Sequence, residues 1–342
     1  MNISFLLPED NRSGGIRVTS IMAERLRNRG HNVRILLINK PTLYGTLKAR
    51  FKQGKHRGWL HQFGGTVQVA PFVEKVSFQR GELVVGVGTY TLDYLAAITA
   101  DVVKLRYNHG LPAVFDEQAQ RVWSLQLPSI TVSGSLVPRL EELCPGSVRA
   151  VVPNGIDSAQ YHDLKIERNG VGIFYNSHPN KAPDFIVDIL TRLRNERPEL
   201  PIYMISAQSR PAELSFTDFH YLPSVEKVCE IYNRCNLWML PSDTEGLPGP
   251  VLEAMSCGTP VVSTDNDGSL EIITAEVNGL ISPRRDLDAF ITNIYRILDD
   301  IDLQNTIAAA GQARAAEFSW DAAVDKMEAV IDGLTTGMEK AS

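Results

Sequence analysis

Short apolar runs alternate along the chain with segments whose apolar positions recur every three or four residues. Residues 2–7 (Asn-Ile-Ser-Phe-Leu-Leu) are mostly apolar and predict a short buried strand. A polar loop over residues 8–15 closes on Gly14-Gly15. Ile16, Thr19, Ser20, Ala23 and Leu26 then share one helical face, while Arg25, Arg27 and Arg29 stay polar. This predicts a helix over residues 16–29, ended by Gly30. Residues 31–39 return to an apolar run. A strand, a helix and a second strand in that order imply a parallel βαβ unit.

The alternation continues. Strands are predicted over 83–87, 102–107, 129–133 and 150–153, with helices over 90–99 and 135–143. A second series starts at the strand 171–175. It adds strands over 201–206, 219–222, 237–241, 260–264 and 279–282. Its helices are 183–194, 225–234, 250–255, a short 269–275, 287–298, 301–317 and 319–332. No repeat of about 20–50 residues is present, which excludes a solenoid. The series break at the polar stretch 154–170. The pattern predicts two doubly wound α/β domains with parallel sheets, residues 1–153 and 154–318, facing each other across a cleft. Ligands in such sheets sit at the carboxyl ends of the strands.

Composition supports that division. A chain of 342 residues exceeds the usual ~100–200 of one domain. With 44% hydrophobic and 22% charged residues it reads as globular, excluding disordered, collagen-like and disulfide-rich classes. Cys144, Cys229, Cys235 and Cys257 form no Cys-x-x-Cys pair, so reduced cytoplasmic thiols are expected rather than a zinc or redox site. The opening residues lack a basic n-region, and no run approaches ~18 uninterrupted apolar residues, so neither a signal peptide nor a spanning helix is expected. The net charge of −6 is unevenly spread. Residues 1–150 carry 19 basic and 11 acidic side chains, residues 151–342 carry 15 and 29, giving +8 and −14. The acidic balance argues against general nucleic-acid binding, and the split suggests separate partners for the two halves.

The chemistry concentrates in Ser242-Asp243-Thr244-Glu245-Gly246-Leu247-Pro248-Gly249-Pro250-Val251-Leu252-Glu253-Ala254-Met255, where a strand ends. Gly246 and Gly249 permit close backbone approach to a ligand, and Pro250 suits a first helical turn. Free N–H groups there attract phosphate oxygens. Glu245 lies in the loop and Glu253 is placed on the first turn; carboxylates accept hydroxyl hydrogen bonds, as sugar or ribose recognition requires. The plainer alternative is a helix start made acidic for the dipole alone.

Glu245 and Glu253 stand in a Glu-x7-Glu frame that runs on into Ala254-Met255 and Gly258-Thr259-Pro260-Val261-Val262. This resembles the core motif of glycosyltransferase family 4, the group 1 retaining enzymes of GT-B fold. The resemblance implies that Glu245 lies near the donor sugar, that Glu253 binds the nucleotide ribose, and that the backbone at Gly246 and Leu247 meets the donor phosphate or sugar. Further segments follow the family's order. Ser13-Gly14-Gly15 resembles its first glycine loop, and Pro153-Asn154-Gly155-Ile156-Asp157 its interdomain segment. Gly268-Ser269 with Glu271-Ile272-Ile273 resembles the loop and helix after the core motif. Phe318-Ser319-Trp320 resembles the aromatic motif before a last helix, implying that residues 319–342 pack back on the N-terminal domain.

Three more positions take roles from the resemblance. His109, after the strand 102–107, would otherwise read as a surface histidine; it corresponds to the family's N-domain histidine near the donor sugar. Lys181 corresponds to the lysine on the diphosphate, against the alternative of a solvated lysine. The usual arginine partner is replaced by Asn176, and the usual glycine after the lysine by Ala182, which removes one cation from a diphosphate site. Arg210 is a candidate compensating cation. Leu222 falls in the loop that touches the nucleobase in relatives, with a plain core connection as the alternative. Lys48, Arg50, Lys52, Lys55 and Arg57, with Trp59 beside them, form either a solvated loop or an acceptor or anionic-membrane surface.

The resemblance therefore implies a metal-independent retaining transferase moving a sugar from a UDP-, GDP- or dTDP-linked donor to a glycan or lipid-linked acceptor, cytoplasmic or peripheral at the inner membrane face, with domain closure excluding water. No cofactor beyond the nucleotide sugar and no nucleic-acid partner is expected. The rival readings are a nucleotide-sugar epimerase or hydrolase of the same fold and a degenerate sugar-nucleotide-binding protein. A Rossmann oxidoreductase is disfavoured because the first loop lacks Gly-x-Gly-x-x-Gly.

Overall fold

The computed structural model describes residues 1–38, 58–112 and 115–339. It divides into two compact units, residues 1–153 with 321–342 and residues 154–320.

The first unit is built on a seven-stranded sheet in the order β3-β2-β1-β4-β5-β6-β7. The strands are β1 (Asn2–Leu7), β2 (Asn32–Leu37), β3 (Thr66–Val69), β4 (Leu83–Val87), β5 (Val103–Asn108), β6 (Ser129–Thr131) and β7 (Val148–Val151). All pairings are parallel; Phe5 of β1, for example, is in register with Ile35 on one side and Val85 on the other. The central strands are covered on both faces, which is why β1 and β4 read as near-continuous apolar runs. The helix Gly14–Asn28 buries Ile16, Thr19, Ser20, Met22, Ala23 and Leu26, the face read from the sequence.

Two elements had no clear sequence signal. Strand β3 is an edge strand, four residues long and exposed throughout, so no apolar run marks it. The helix Glu117–Trp123 is two turns long and starts from the Asp116 side chain, which accepts from the Ala119 N–H at 2.7 Å. The last helix, Trp320–Glu339, sends Asp321, Asp325 and Glu328 to residues of the first unit. Asp321 meets Arg25 at 3.2 Å, Asp325 meets Arg29 at 2.7 Å, and Glu328 meets Arg29 and His31 at 3.0 Å. The arginines that read as a plain polar helix face therefore hold a segment some 300 positions later in the chain.

The second unit carries a six-stranded parallel sheet in the order β10-β9-β8-β11-β12-β13. Its strands are β8 (Gly170–Tyr175), β9 (Ile202–Ser206), β10 (Asp218–Tyr221), β11 (Cys235–Leu240), β12 (Val261–Thr264) and β13 (Leu280–Ser282). Phe185, Ile186, Ile189, Leu190 and Leu193 of the helix Pro183–Glu196 join Phe290, Ile291, Ile294 and Ile297 of the helix Leu287–Asp299 over one face. The stretch after Pro153 is packed against this unit rather than free. The Ile156 N–H donates to the Phe318 carbonyl at 2.8 Å. The Arg168 guanidinium donates to Cys235 O, Cys257 O and Thr259 Oγ1 at 2.7–2.9 Å.

The short helix expected over 269–275 begins earlier and is shorter, at Asp267–Leu270, because Asn266 Oδ1 accepts from the Ser269 N–H at 2.9 Å and sets its start. Trp238 of β11 is fully buried and packs at tilted and edge angles on Tyr232 and Phe174. Space for its ring comes from Gly172 of β8, where a Cβ would lie 2.4 Å from the indole. Gly172→Ala should therefore overpack the centre of this sheet and lower the unfolding free energy by about 2 kcal/mol in urea titration. An unchanged midpoint would mean that the indole has room to move.

Candidate functional site

The strand order of the second unit reverses between β8 and β11, so the loops leaving their carboxyl ends lie side by side. Lys181 ends the short 3₁₀ turn Pro179–Lys181 on the loop after β8. Glu245 lies on the loop after β11. The Lys181 ammonium donates to both carboxylate oxygens of Glu245, at 2.7 and 2.6 Å. The Glu245 side chain is 9% exposed and that of Lys181 37%, so the pair sits at the rim of an accessible surface rather than in the core. The two loops are also joined through backbone, since the Asp243 and Thr244 N–H groups both donate to the Asn180 carbonyl, at 2.9 and 3.3 Å.

Other groups seat the Glu245 loop. Gly268 lies against its backbone: a Cβ there would be 2.7 Å from the Gly246 carbonyl oxygen and 2.8 Å from that of Glu245. At Gly249, by contrast, the nearest atom to a Cβ would be Glu253 Oε1 at 3.9 Å. The close approach of backbone to backbone in this region therefore falls on Gly268, while Gly249 is left open. Asn154 is buried, and its amide reaches toward the Leu247 carbonyl at 3.5 Å while its Oδ1 has no partner among the described residues. Leu247 itself is buried.

Glu253 departs from expectation in one respect. The helix begins at Gly249, so Glu253 falls on its second turn and the first turn holds no acid. Dipole compensation at the helix start does not account for it. Its carboxylate is 4% exposed and accepts from Tyr232 Oη at 2.9 Å. Burial, with Glu253 adding to it, raises the Tyr232 phenol well above its ordinary range, so it remains a donor to that carboxylate.

Asn176 is exposed, and its Oδ1 accepts from the His178 N–H at 2.8 Å, shaping the turn that leads to Lys181. Arg210 donates to the Thr217 carbonyl at 3.0 Å and lies 5.7 Å from the Phe219 ring centroid, an engagement at the sheet edge near β10. Ala182 and Leu222 both have positive φ, 52° and 47°. Leu222 holds its place at the end of β10 through its N–H to the Ser206 carbonyl at 2.9 Å.

In the first unit the structure brings Gly15 and His109 together. A Cβ on Gly15 would meet the His109 ring at 3.6 Å, whereas Gly14 faces open space. The ring lies 4.2 Å from the fully buried Tyr107 ring, centroid to centroid. Thr19 Oγ1 donates to the Gly15 carbonyl at 2.8 Å and lies 3.3 Å from His109 Nε2. His109 Nδ1 is enclosed and without a partner among the described residues. Burial pushes the His109 pKa down to about 3.

Lys48, Arg50, Lys52, Lys55 and Arg57 lie outside the described residues. Trp59 is described, half-buried in the turn Trp59–Gln62, with the guanidinium carbons of Arg12 and Arg17 at 4.6 and 5.0 Å from its ring centroid.

The sequence model of the family described as Glycosyl transferases group 1 matches residues 170–300, which hold Lys181, Glu245 and Glu253. Residues 170–300 are therefore similar to the group 1 glycosyltransferases. Among curated relatives, a D-inositol 3-phosphate glycosyltransferase of Jonesia denitrificans is 25% identical over 220 residues, 55% of this chain and 52% of that protein. An O-antigen chain mannosyltransferase B of Escherichia coli is 37% identical over 101 residues, 30% of this chain and 26% of that protein. The chain spans about half the length, or less, of the curated relatives it matches. Among solved structures, HepE of Anabaena in complex with UDP superposes with a TM-score of 0.78 at 18% identity, covering 97% of this chain and all of that one. Sucrose-phosphate synthase of Thermosynechococcus elongatus gives 0.75 at 17% identity, covering 98% of this chain. The fold is GT-B.

The His109 environment has a direct consequence. Its folded pKa lies below the ordinary 6.5, so its contribution to stability is complete above about pH 6.5 and is lost as pH falls toward about 3. The imidazole carbon resonances of His109 should show no titration between about pH 5 and 8. A midpoint near the ordinary value would show that the ring is solvated.

Proposed function

We propose that this chain is a retaining glycosyltransferase that moves a sugar from a nucleotide-sugar donor to an acceptor hydroxyl in glycan or glycolipid assembly. The observation that carries the proposal is the Lys181–Glu245 pair at the carboxyl ends of β8 and β11, inside the segment matched by the group 1 family. The names of relatives support the class of reaction: an inositol phosphate glycosyltransferase, an O-antigen mannosyltransferase, and an N-acetylgalactosaminyltransferase acting on a diphospho-undecaprenol of Campylobacter jejuni. The HepE structures holding UDP and UDP-glucose support a nucleoside diphosphate donor.

In this reading the Lys181 ammonium and the backbone at Gly246 and Leu247 stabilise charge on the leaving diphosphate. Glu245 accepts hydroxyl hydrogen bonds from the donor sugar and Glu253 those of the ribose, with Tyr232 holding the Glu253 carboxylate. Leu222 borders the nucleobase. His109, neutral, hydrogen-bonds a donor-sugar hydroxyl. The C1–phosphate oxygen bond breaks and the bond from the acceptor oxygen to C1 forms on the same face. The acceptor proton passes to the leaving phosphate oxygen, so no protein nucleophile or resident metal is assigned. The acceptor is a glycan or lipid-linked sugar at the cytoplasmic membrane face, a reading supported by the basic balance of residues 1–150.

The proposal has a simple test. UDP, GDP, dTDP and ADP are added separately and the thermal midpoint is read; one of them should raise it, because a ligand selective for the native state stabilises it. A flat response to all four would sink the donor assignment. Glu245→Gln should cut transfer by about a hundredfold or more while the nucleoside diphosphate binds several-fold more tightly, because Lys181 loses its internal counter-ion. Lys181→Met should weaken nucleotide binding and transfer together. Full transfer by Glu245→Gln would show that the site lies elsewhere.

A further inference from the structure

The turn after β13 carries two adjacent arginines, Arg284 and Arg285, and the second makes contacts that the proposed chemistry does not itself require. Arg285 sits at φ 63°, in the left-handed region, where an arginine side chain carries strain that glycine would not. Its guanidinium is forked between the loop after β11 and the first turn of the helix Pro183–Glu196. Nε donates to both carboxylate oxygens of Asp243, at 2.8 and 3.1 Å, and Nη2 donates to Asp243 Oδ2 as well. Nη1 donates to both oxygens of Asp184, at 2.7 and 2.8 Å. The charged groups sit over the Phe185 ring, 6.0 Å from its centroid. Arg284 adds a bond from Nη1 to the Asp243 carbonyl at 3.3 Å, and its Nε donates to Asp265 Oδ1 at 3.1 Å.

The two carboxylates are placed tellingly in the sequence. Asp243 is two residues before Glu245, and Asp184 is three residues after Lys181. One guanidinium therefore ties the start of the helix that follows Lys181 to the Glu245 loop, on top of the backbone bonds from Asp243 and Thr244 to Asn180. We infer that Arg285 is a positioning residue that fixes the spacing between Lys181 and Glu245. An exposed ion pair by itself contributes little; a lysine carries the charge on a single nitrogen, whereas the planar guanidinium presents separate N–H groups to the two carboxylates, and that fork is what the geometry uses. The strained backbone at Arg285 persists because the two carboxylates hold the side chain. The inference rests on the proposed donor role of Lys181 and Glu245 for its functional half, and on the contacts alone for its structural half.

Arg285→Gly separates these halves, because glycine relieves the left-handed strain while deleting the fork. The full chain is used, with Arg285→Lys as the charge-preserving control. The Arg285→Gly thermal midpoint should be unchanged or raised. Its Asp243 and Thr244 amides should exchange hydrogen about tenfold faster, with the rest of the sheet unaltered. Whichever of UDP, GDP, dTDP or ADP binds the native protein should bind about fivefold more weakly, with a comparable loss in Arg285→Lys. Unaltered exchange at those two amides overturns the inference, and so does faster exchange spread through the whole unit, which would mark a general stabilising role. Should none of the four nucleotides bind the native protein, the donor reading falls, and exchange alone still decides whether the clamp exists. Faster local exchange with unchanged nucleotide affinity leaves a clamp with no bearing on the site and overturns the functional half.

Discussion

Parallel strands cannot be joined by a tight turn, so every connection in these two sheets must cross a sheet face before the next strand begins. Where the order of strands reverses, two successive loops leave in opposite directions and open a crevice at the carboxyl ends. In the second unit that constraint sets Lys181 beside Glu245, residues separated by 64 positions in sequence. The rest of the site follows from that juxtaposition. Asn180 accepts from the opposite loop, Gly268 makes room beneath it, and Arg285 spans it from the turn after β13.

Most of the polar architecture around the site holds backbone rather than facing solvent. Asn266 caps its own short helix, and its amide also reaches Thr264 Oγ1 at 3.1 Å, while Thr264 Oγ1 donates to the Ser242 carbonyl. Such a shell costs conformational entropy and fixes the first-contact groups, which is what electrostatic preorganisation needs. Asn176 fits this pattern, since its Oδ1 accepts from the His178 N–H and shapes the turn toward Lys181.

The elements of both sheets were largely legible because strands buried on both faces need continuous apolar runs, and the covering helices need a one-sided pattern. The Glu245–Glu253 frame was legible because loop and helix are contiguous there. Strand β3 and the helix Glu117–Trp123 were not, since an exposed edge and a two-turn helix bury too little to leave a pattern. Gly268 was visible only as part of a motif; its use as a seat for the Glu245 backbone depends on a partner more than twenty residues away.

The sequence by itself determined the class of most elements, their alternation, the division near residue 153, and the place of the glycine- and carboxylate-rich loop after β11. Those depend on local periodicity and on turn chemistry, which neighbours in the chain dictate. Tertiary structure decided the rest. It put Glu253 on the second turn, beside the Tyr232 hydroxyl, and enclosed His109 against Thr19 and Tyr107. It also turned Arg25, Arg29 and Arg285 from surface charges into ties between distant segments. Burial and ion pairing are properties of which segments meet in space, and for these side chains the partners come from parts of the chain that no local pattern connects.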